Sequence, residues 1–251
     1  CAPSTATGPP PMPAAESGAP ADGAAVIVIP AFEAEATLPA VLQRLRDVLP
    51  GTTVIVVDDG SRDGTAAAAA ADGAAVVRLP ANEGKGRALA GGVRAAVERG
   101  AGAVVTMDAD GQHPAECVPA LLAPLSAGSA DLVVGARRRG ESPMPWPRRC
   151  TNWLSSTLVS RALGVPVPDS QSGFRAFTRR VAETVRPAGA RYEFETEFLF
   201  LAAQAGFRLA AVPVPTVYGG ATSHFRHGAD TVRLSRVFLR YWRAIAFGPR
   251  T

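Results

Sequence analysis

The sequence predicts an α/β fold with a mostly parallel sheet flanked by helices, and two observations support this prediction. Short runs rich in valine and isoleucine recur along the chain, and they alternate with helical patterns. Runs that are apolar almost throughout are typical of parallel strands covered on both faces. The predicted strands cover residues 24–30, 52–59, 74–79, 103–108 and 131–136, and the predicted helices cover residues 37–49, 66–71 and 86–99.

The residues at the ends of these strands form a second pattern, because every strand ends at a polar or conformationally special residue. These residues are Pro30, Asp59, Asn82, Asp108 and Arg137. In parallel α/β sheets, ligands bind at the edge formed by the carboxyl ends of the strands. The pattern therefore predicts a binding site at that edge.

Length and composition indicate a globular protein. The 251 residues suit one large α/β domain or two small ones, with 47% hydrophobic and 19% charged residues. The net charge of +4 comes from arginine, since Lys85 is the only lysine, and no nucleic-acid-binding motif accompanies it. We therefore expect no nucleic-acid partner. Cys1, Cys117 and Cys150 lack the spacing of metal ligands, which fits a reducing compartment. No apolar run reaches about 18 residues, so no transmembrane helix is expected.

The two ends of the chain differ from the predicted domain. Residues 1–23 are rich in proline, alanine and glycine without periodicity, which predicts a disordered tail. The spacing of charged and apolar residues in 229–251 predicts a basic amphipathic helix and tail, with arginines on one narrow face. Two interpretations of this helix remain open. It packs against its own domain, or it lies on an anionic membrane with Tyr241 and Trp242 at headgroup depth.

Asp108 and Asp110 follow the fourth predicted strand, where both side chains can turn towards the cleft. Two carboxylates at this spacing form a hard-oxygen site suited to Mg²⁺ or Mn²⁺, with positions left open for substrate phosphates. Gly111 permits the turn, and Pro114 suits the first turn of the next helix. The alternative is a polar turn between a strand and a helix that holds no metal.

Two further loops carry candidate contacts to a nucleotide. Asp58 and Asp59 end the second strand, where a carboxylate can accept hydrogen bonds from the N–H groups of a base. The loop of residues 82–87, NEGKGR, opens a helix with a basic side chain between glycines, which suits a phosphate, although a plain surface turn looks the same. Side chains expected to cap the helix after the second strand are Ser61, Asp63 and Thr65.

The chain contains, in this order, VIVIPAFEAEATLP, VIVVDDGSRDGT, NEGKGRAL, VVTMDADGQHP, VVGAR and DSQSGFRAF. This ordered set resembles the family 2 glycosyltransferases with the GT-A fold, a Rossmann-like fold. The similarity is strongest to the dolichol-phosphate mannosyltransferase-like branch, which includes bacterial polyprenyl-phosphate glycosyltransferases. The resemblance covers roughly residues 25–240.

The resemblance implies an inverting transfer from a nucleotide-sugar donor. It also implies a divalent ion, Mg²⁺ or Mn²⁺, held by Asp108, Asp110 and Gln112, with the two aspartates as catalytic residues. Asp59 corresponds to the carboxylate that binds the base of the donor. The expected donor-binding residues are Pro30, Phe32, Glu33, Asp58, Asp59, Lys85, Gly86, Asp108 and Ala109.

The acceptor is expected on the opposite side of the cleft. The resemblance places Arg137 and Arg149 at an acceptor phosphate, and Asp169 and Arg175 at the acceptor border, with Asp169 as a catalytic candidate. A phosphate oxygen is already anionic and needs no strong general base, whereas a sugar hydroxyl does. The arginines favour phosphate, while a hydroxyl acceptor stays open because of Asp169, Glu193, Glu195 and Glu197.

Two positions depart from the family's pattern. Its first motif usually reads P-x-Y/F-N-E, and here Glu33 and Ala34 occupy the Asn-Glu positions, so Glu33 or Glu35 is the candidate to replace the displaced acid. Relatives also tend to carry an arginine or lysine between the Pro-Val-Pro strand and the SHF segment, and TVYGGAT supplies none. These departures leave open a non-catalytic homologue that binds sugar nucleotides.

The sequence therefore predicts a metal-dependent inverting glycosyltransferase that moves a sugar from a nucleotide donor to a polyprenyl phosphate. Residues 24–136 are expected to form the nucleotide-sugar half of the domain, and residues 137–228 the acceptor half. Transfer to a hydroxyl of a glycan or glycolipid is the alternative. The expected location is cytoplasmic and peripheral at the inner face of the membrane, either directly or through a membrane partner protein.

Overall fold

The computed structural model of the protein describes residues 23–137, 146–191, 193–215 and 237–241, with only the backbone for 146–151. The strands are β1 (Ala25–Ala31), β2 (Thr53–Asp58), β3 (Ala75–Arg78), β4 (Ala103–Thr106), β5 (Leu132–Arg137), β6 (Arg175–Thr178) and β7 (Leu209–Val214). The helices are α1 (Leu38–Val48), α2 (Thr65–Ala71), α3 (Lys85–Glu98), α4 (Val118–Ser126), α5 (Trp146–Leu163), α6 (Arg179–Thr184) and α7 (Glu193–Gln204). A 3₁₀ turn, Ala115–Cys117, precedes α4.

The strands form one sheet in the order β3-β2-β1-β4-β6-β5-β7. Neighbouring strands are parallel except at β6, which runs antiparallel to both β4 and β5. The predicted α/β fold with a mostly parallel sheet is confirmed. The chain moves outwards from β1 to β3 and then returns to the other side of β1. This reversal opens a crevice at the carboxyl ends of β1 and β4, where ligands bind in such sheets.

The reversed strand β6 brings an additional loop to the same edge. Its first residue, Arg175, pairs with Thr106 of β4 and with Val134 of β5. An antiparallel strand begins at the edge where its parallel neighbours end, so residues 169–174 lie at the carboxyl ends of β4 and β5. The backbone of Gly173 confirms this placement, because its carbonyl accepts the Thr106 hydroxyl at 2.8 Å.

Both faces of the sheet are covered, and the alternating side chains of β1 show this directly. Val26 and Val28 belong to an apolar cluster with helices α3, α5, α6 and α7. Ile27 and Ile29 belong to a second cluster with α1 and α4. On the first face, an added Cβ on Gly92 of α3 would lie 2.4 Å from a methyl group of Val28, so this close approach requires glycine. The sheet therefore lies between two layers of helices.

Residues 237–241, near the C-terminus, pack against α7. Val237 and Tyr241 are 6% and 8% exposed. The Tyr241 ring stacks on Phe200, with ring centroids 4.7 Å apart. Packing against the domain therefore holds for these residues, and the alternative that places Tyr241 at headgroup depth is wrong. Trp242 and most of the predicted terminal helix and tails lie outside the described residues.

Candidate active site

The loops that follow β1 and β2 are joined by hydrogen bonds between backbone and side chains. The Glu33 N–H donates to Ser61 Oγ at 3.0 Å, and the Ala34 N–H donates to Thr65 Oγ1 at 2.8 Å. The prediction that Ser61 and Thr65 cap α2 is therefore wrong, because their oxygens serve the neighbouring loop. Asp63 alone follows the prediction, accepting the Thr65 N–H at the start of α2 at 3.1 Å. These bonds couple two loops at the ligand edge.

The two acids beside the altered first motif have different surroundings. Glu35 accepts the Gly64 N–H at 2.9 Å, so its carboxylate serves the start of α2. Glu33 is exposed and has a φ of +51°, a left-handed conformation that costs a residue with a side chain about 1 kcal/mol. Of the two candidates for the displaced acid, Glu33 is the one that faces the cleft.

Asp59 holds the loop that precedes α3. Its two carboxylate oxygens accept the N–H groups of Glu83 and Gly84 at 2.8 and 2.9 Å. Burial raises the pKa of Asp59, and the two amide donors oppose the rise only in part. Each carboxylate oxygen has a second lone pair, so this geometry is compatible with the predicted contact to a nucleobase N–H.

Asp58 is completely buried and connects β2 to β3. One oxygen accepts the Ser61 N–H at 2.9 Å, and the other lies 3.2 Å from Arg78 Nε. Arg78 also donates to the Ser61 carbonyl at 2.9 Å. The exposed fraction of Asp58 is 0%, which leaves no surface for the direct donor contact predicted for it. Its carboxylate orients Arg78 instead.

A cleft of about 420 Å³ opens beside these loops. This volume lies in the range of small-molecule sites, roughly 300–1,000 Å³. Two of the predicted donor residues, Phe32 and Glu33, line the cleft, whereas Pro30 is buried within β1. The lining residues are Phe32, Glu33, Gly60, Ser61, Arg62, Arg78, Leu79, Pro80, Ala81 and Asn82.

The turn after β4 carries the predicted metal ligands. Gly111 adopts a φ of +75°, which allows the tight turn predicted there. Asp110 Oδ1 accepts the Gln112 N–H at 2.9 Å, so these two residues lie together. The Asp108 side chain is 27% exposed, while Ala109 is buried. The turn therefore presents oxygen ligands at the crevice between β1 and β4.

The residues of this turn fit a divalent ion only together with a substrate. Within the part of the chain that the structure describes, no group of three His, Cys, Asp or Glu side chains is arranged to hold a metal. Mg²⁺ is usually bound by one or two carboxylates together with phosphates and water. Asp108, Asp110 and Gln112 provide two carboxylates and an amide, so they fit an ion that is completed by a diphosphate.

Asp108 is held from two sides. Its Oδ1 lies 2.7 Å from Lys85 Nζ, and its backbone N–H donates to His113 Nδ1 at 2.9 Å. Burial has the largest single effect and would raise the pKa of Asp108, but the charges and hydrogen bonds around the carboxylate, Lys85 first among them, together outweigh burial and the pKa is lowered. The His113 ring stacks on Phe174 with centroids 4.9 Å apart, and burial lowers its pKa. His113 is a site residue that sequence reasoning missed, although it lies within the DADGQHP segment.

Lys85 lies between two carboxylates. In addition to Asp108, its Nζ is 3.1 Å from Glu195 Oε1 of α7. Burial would lower the pKa of Lys85, but the two carboxylates raise it above its usual value. Gly86 holds the loop in place through its backbone, because its N–H donates to the Ala190 carbonyl at 2.8 Å. The sequence placed Glu195 only among the acids for a hydroxyl acceptor, and no local signal indicated its contact with Lys85.

On the acceptor side, Arg137 and Asp169 form a two-bond ion pair. Arg137 Nε and Nη2 lie 2.6 and 3.2 Å from the two oxygens of Asp169. Asn152 of α5 donates to the same carboxylate at 3.3 Å. Asp169 is 2% exposed, so it orients Arg137 from beneath the surface. The structure thus brings these two predicted residues together at the end of β5.

Arg175 has a different place from the acceptor contact predicted for it. Its guanidinium is buried and donates to the carbonyls of Ser172, Ser170 and Glu195 at 2.8, 3.0 and 2.7 Å. Burial lowers the pKa of Arg175 to about 10. The prediction is wrong in this respect, because the side chain joins β6 to the loop before it and to α7. The side chain of Arg149 lies outside the described residues.

Comparisons with known proteins agree with this geometry. A model of the glycosyl transferase family 2 matches residues 26–186. The chain belongs to this family. It is 35% identical over 201 residues to the undecaprenyl-phosphate mannosyltransferase of Micrococcus luteus, covering 76% of this chain and 82% of the relative. It is 32% identical over 201 residues to the polyprenol monophosphomannose synthase of Mycolicibacterium smegmatis, covering 75% and 76%.

A solved structure shows the same fold. Glucosyl-3-phosphoglycerate synthase from Mycobacterium tuberculosis, in complex with Mn²⁺, UDP and glucosyl-3-phosphoglycerate, has a TM-score of 0.69 and 26% identity. The match covers 88% of this chain and 80% of that one. The family member described above is therefore a glycosyltransferase with a GT-A-like fold. No helix among its described residues is long and apolar enough to cross a membrane.

Proposed function

We propose that this glycosyltransferase moves a sugar, with inversion, from a nucleotide-sugar donor to a polyprenyl phosphate, with the help of a divalent ion. The observation that carries the acceptor class is the bonding of the acids around the cleft. A hydroxyl acceptor needs a free carboxylate as general base, whereas a phosphate acceptor is already an anion. The candidate acids are Asp169, Glu193, Glu195 and Glu197.

Each of these acids is bound to a cation or to a backbone amide. Asp169 pairs with Arg137, and Glu195 with Lys85. Glu197 accepts two backbone N–H groups through one oxygen and Arg240 Nη1 at 2.7 Å through the other. Glu193 accepts the Ala190 N–H at 3.2 Å. Acids bound in this way suit the positioning of cations better than the removal of a proton, which supports a phosphate acceptor.

Arg137 is the residue that we assign to the acceptor phosphate. It ends β5 at the ligand edge, and Asp169 holds its guanidinium by the Nε–Nη2 edge. Planar guanidinium groups bind phosphate oxygens by the same two-bond geometry. The names of the polyprenyl-phosphate transferases to which the chain is similar support this assignment.

The donor is assigned to the crevice between β1 and β4 and to the cleft beside it. The base and ribose fit the cleft lined by Phe32 and Arg78. The diphosphate then lies towards Asp108 and Asp110. An ion held there supplies charge neutralisation for the departing nucleoside diphosphate. The protein binds and orients the two substrates for in-line attack on the anomeric carbon. Because the acceptor is lipid-linked, we place the working protein at the cytoplasmic face of a membrane, directly or through a partner protein.

A second candidate is transfer to a hydroxyl of a phosphorylated molecule that is not a lipid. It is favoured by the similarity to a synthase whose complex contains glucosyl-3-phosphoglycerate. A hydroxyl acceptor in this protein would require one of the acids named above to act as a general base in addition to its present contact. A non-catalytic sugar-nucleotide binder is the third possibility, suggested by the altered first motif.

A donor panel separates these possibilities. Purified protein is incubated with UDP-, GDP- and dTDP-sugars, with and without Mn²⁺, and with undecaprenyl or dolichyl phosphate. We expect a lipid-linked product with one donor, and only with the ion present. Turnover with a hydroxyl acceptor alone would support the second candidate. Donor binding without any turnover would support the third.

The Arg137→Ala variant tests the acceptor assignment. Loss of a two-bond phosphate contact should raise the KM for the lipid phosphate by about tenfold or more, with little change in the KM for the donor. Arg94→Ala serves as the control, because the Arg94 side chain is 76% exposed on α3. An unchanged acceptor KM in Arg137→Ala would remove the assignment.

A further inference from the structure

Three charged side chains meet beside the turn that follows β4. Lys85 Nζ lies 2.7 Å from Asp108 Oδ1 and 3.1 Å from Glu195 Oε1. Glu195 is 3% exposed and comes from α7, on the acceptor side of the fold. One ammonium group therefore serves two carboxylates, of which one is a predicted metal ligand and the other is not.

Glu195 has more hydrogen-bonding capacity than its surroundings use. Among the described residues, neither carboxylate oxygen meets a donor in good hydrogen-bond geometry, so its contact with Lys85 is electrostatic. Arg175 is the nearby second cation, but its Nη1 donates to the Glu195 carbonyl and not to the carboxylate. A buried carboxylate with so few donors is costly unless a cation compensates its charge. Lys85 is the cation that the structure supplies.

Asp108 holds this ammonium at Oδ1. An ion bound to the Asp108 carboxylate would repel Lys85 Nζ, because both are positively charged. Gly173 packs closely against this pair, since an added Cβ would lie 2.8 Å from Lys85 Nζ and 3.2 Å from Asp108 Oδ1. A side chain there would crowd the ammonium, and Lys85 already lies within reach of a second anion, Glu195.

We propose that Asp108 exchanges cations and that Glu195 is the positioning residue that makes the exchange possible. In the protein without metal, Lys85 neutralises Asp108. When a divalent ion binds Asp108, the ammonium withdraws onto Glu195 and remains compensated. This inference rests on the proposed function in one respect only, namely the binding of a divalent ion at Asp108 and Asp110.

The proposal gives opposite expectations for two substitutions. Glu195→Gln keeps the shape of the side chain but removes the second anion, so a displaced Lys85 would become a buried, uncompensated charge beside the ion. We expect the Kd for Mn²⁺ to rise by about tenfold or more, because removing one partner of an ion pair leaves the charge of the other uncompensated. The double variant Lys85→Met with Glu195→Gln has no ammonium to displace, so it should bind Mn²⁺ at least as tightly as the wild type.

The experiment is a titration of the full chain with Mn²⁺, followed by electron paramagnetic resonance of the free ion. It is done without nucleotide and again with UDP or GDP. Glu193→Gln is the matched control, because it removes the same charge from the same first turn of α7, and its amide oxygen can still accept the Ala190 N–H. Its Kd for Mn²⁺ should equal that of the wild type. Circular dichroism checks that each variant is folded.

Three results would overturn the inference. They are wild-type Mn²⁺ affinity in Glu195→Gln, an equal loss in Glu193→Gln, and a double variant that binds the ion more weakly than the wild type. The comparison of the double variant with the wild type tests the inference even if Glu195→Gln alone does not fold. Failure of the wild type to bind Mn²⁺ under every condition would instead contradict the metal in the proposed function. The two failures are therefore distinguishable.

Discussion

Carboxylates are used differently at the two ends of the cleft. On the donor side, Asp59 binds the backbone N–H groups that precede α3, at 2.8 and 2.9 Å. On the acceptor side, Asp169 and Glu195 lie 2.6 and 3.1 Å from the side chains of Arg137 and Lys85. Backbone amides are fixed by the fold, whereas arginine and lysine side chains can rotate to a new partner. The donor end is thus held largely by the backbone, and under the proposed function the ion pairs of the acceptor end can exchange partners.

This difference has a consequence for substrate binding. A cation that is to bind an anionic substrate is held in place by a partner until the substrate arrives. Under the proposed function, Asp169 is this partner for Arg137 and orients its guanidinium for the acceptor phosphate. At the donor end no such exchange is needed, since the carboxylate of Asp59 is part of the scaffold.

The largest effect is expected from Asp110→Ala, which removes a proposed metal ligand between the two ends. Loss of the ion's stabilisation of the departing diphosphate should lower kcat by about a thousandfold or more. Sugar transfer to polyprenyl phosphate measures this, and circular dichroism should show an intact fold. Glu98→Ala, at an exposed acid of α3, is the control. Near wild-type rates in Asp110→Ala would remove the metal role.

Asp59→Ala tests the preformed donor end. Two N–H groups, of Glu83 and Gly84, lose their acceptor, which should lower the free energy of unfolding by about 2–4 kcal/mol. Urea denaturation measures the change. Asp59→Asn keeps one oxygen acceptor and should lose less. If Asp59→Ala is as stable as the wild type, the carboxylate is not part of the scaffold.

Asp169→Asn tests the exchangeable acceptor end. The amide still contacts Arg137 but carries no charge, so kcat/KM for the lipid phosphate should fall by about tenfold, with an unchanged pH profile. A general base would behave differently, because its loss would remove the limb of the profile that reports its titration and would lower kcat far more. That result would contradict the phosphate acceptor. Asp47→Asn, at an exposed acid of α1, is the control.

The smallest effect is expected at an ion pair outside the cleft. Asp131 accepts the Arg208 N–H at 2.8 Å and lies 3.0 Å from Arg208 Nε. Burial would raise the pKa of Asp131, but Arg208 outweighs it and holds the pKa below the ordinary value of 3.8. A depressed pKa stabilises the fold above that value, and the contribution is lost as the pH falls through the folded pKa. Asp131→Asn should therefore flatten the loss of stability in acid, as urea denaturation at pH 7 and pH 3 would show, and leave kcat unchanged.

Local patterns predicted the donor end well. The positions of Asp59 and Asp108 just after β2 and β4, and the turn at Gly111, follow from apolar runs and turn residues that are adjacent in sequence. The same reasoning failed at Ser61 and Thr65, because their helix was the nearest partner in sequence but the loop after β1 is nearer in space. Local rules identify polar turns, and they do not reveal which neighbour the fold brings to them.

The acceptor end shows the limit of these rules more clearly. Arg175 appeared as a cleft residue because its segment resembles the family's motif, yet the reversed strand β6 turns its guanidinium onto three backbone carbonyls. Glu195 appeared as one of the acids for a hydroxyl acceptor, yet it meets Lys85 across the fold. Neither contact has a signature in the neighbouring sequence.

The sequence by itself determined the alternation of strands and helices, the polar edge of the sheet and the resemblance to the family. It did so because hydrophobic periodicity and turn chemistry act between neighbouring residues. The tertiary structure alone decided the direction of β6, the pairing of Asp169 with Arg137 and the position of Lys85 between Asp108 and Glu195. These features depend on burial, since a charge removed from water must find a partner among whatever side chains the fold brings within reach.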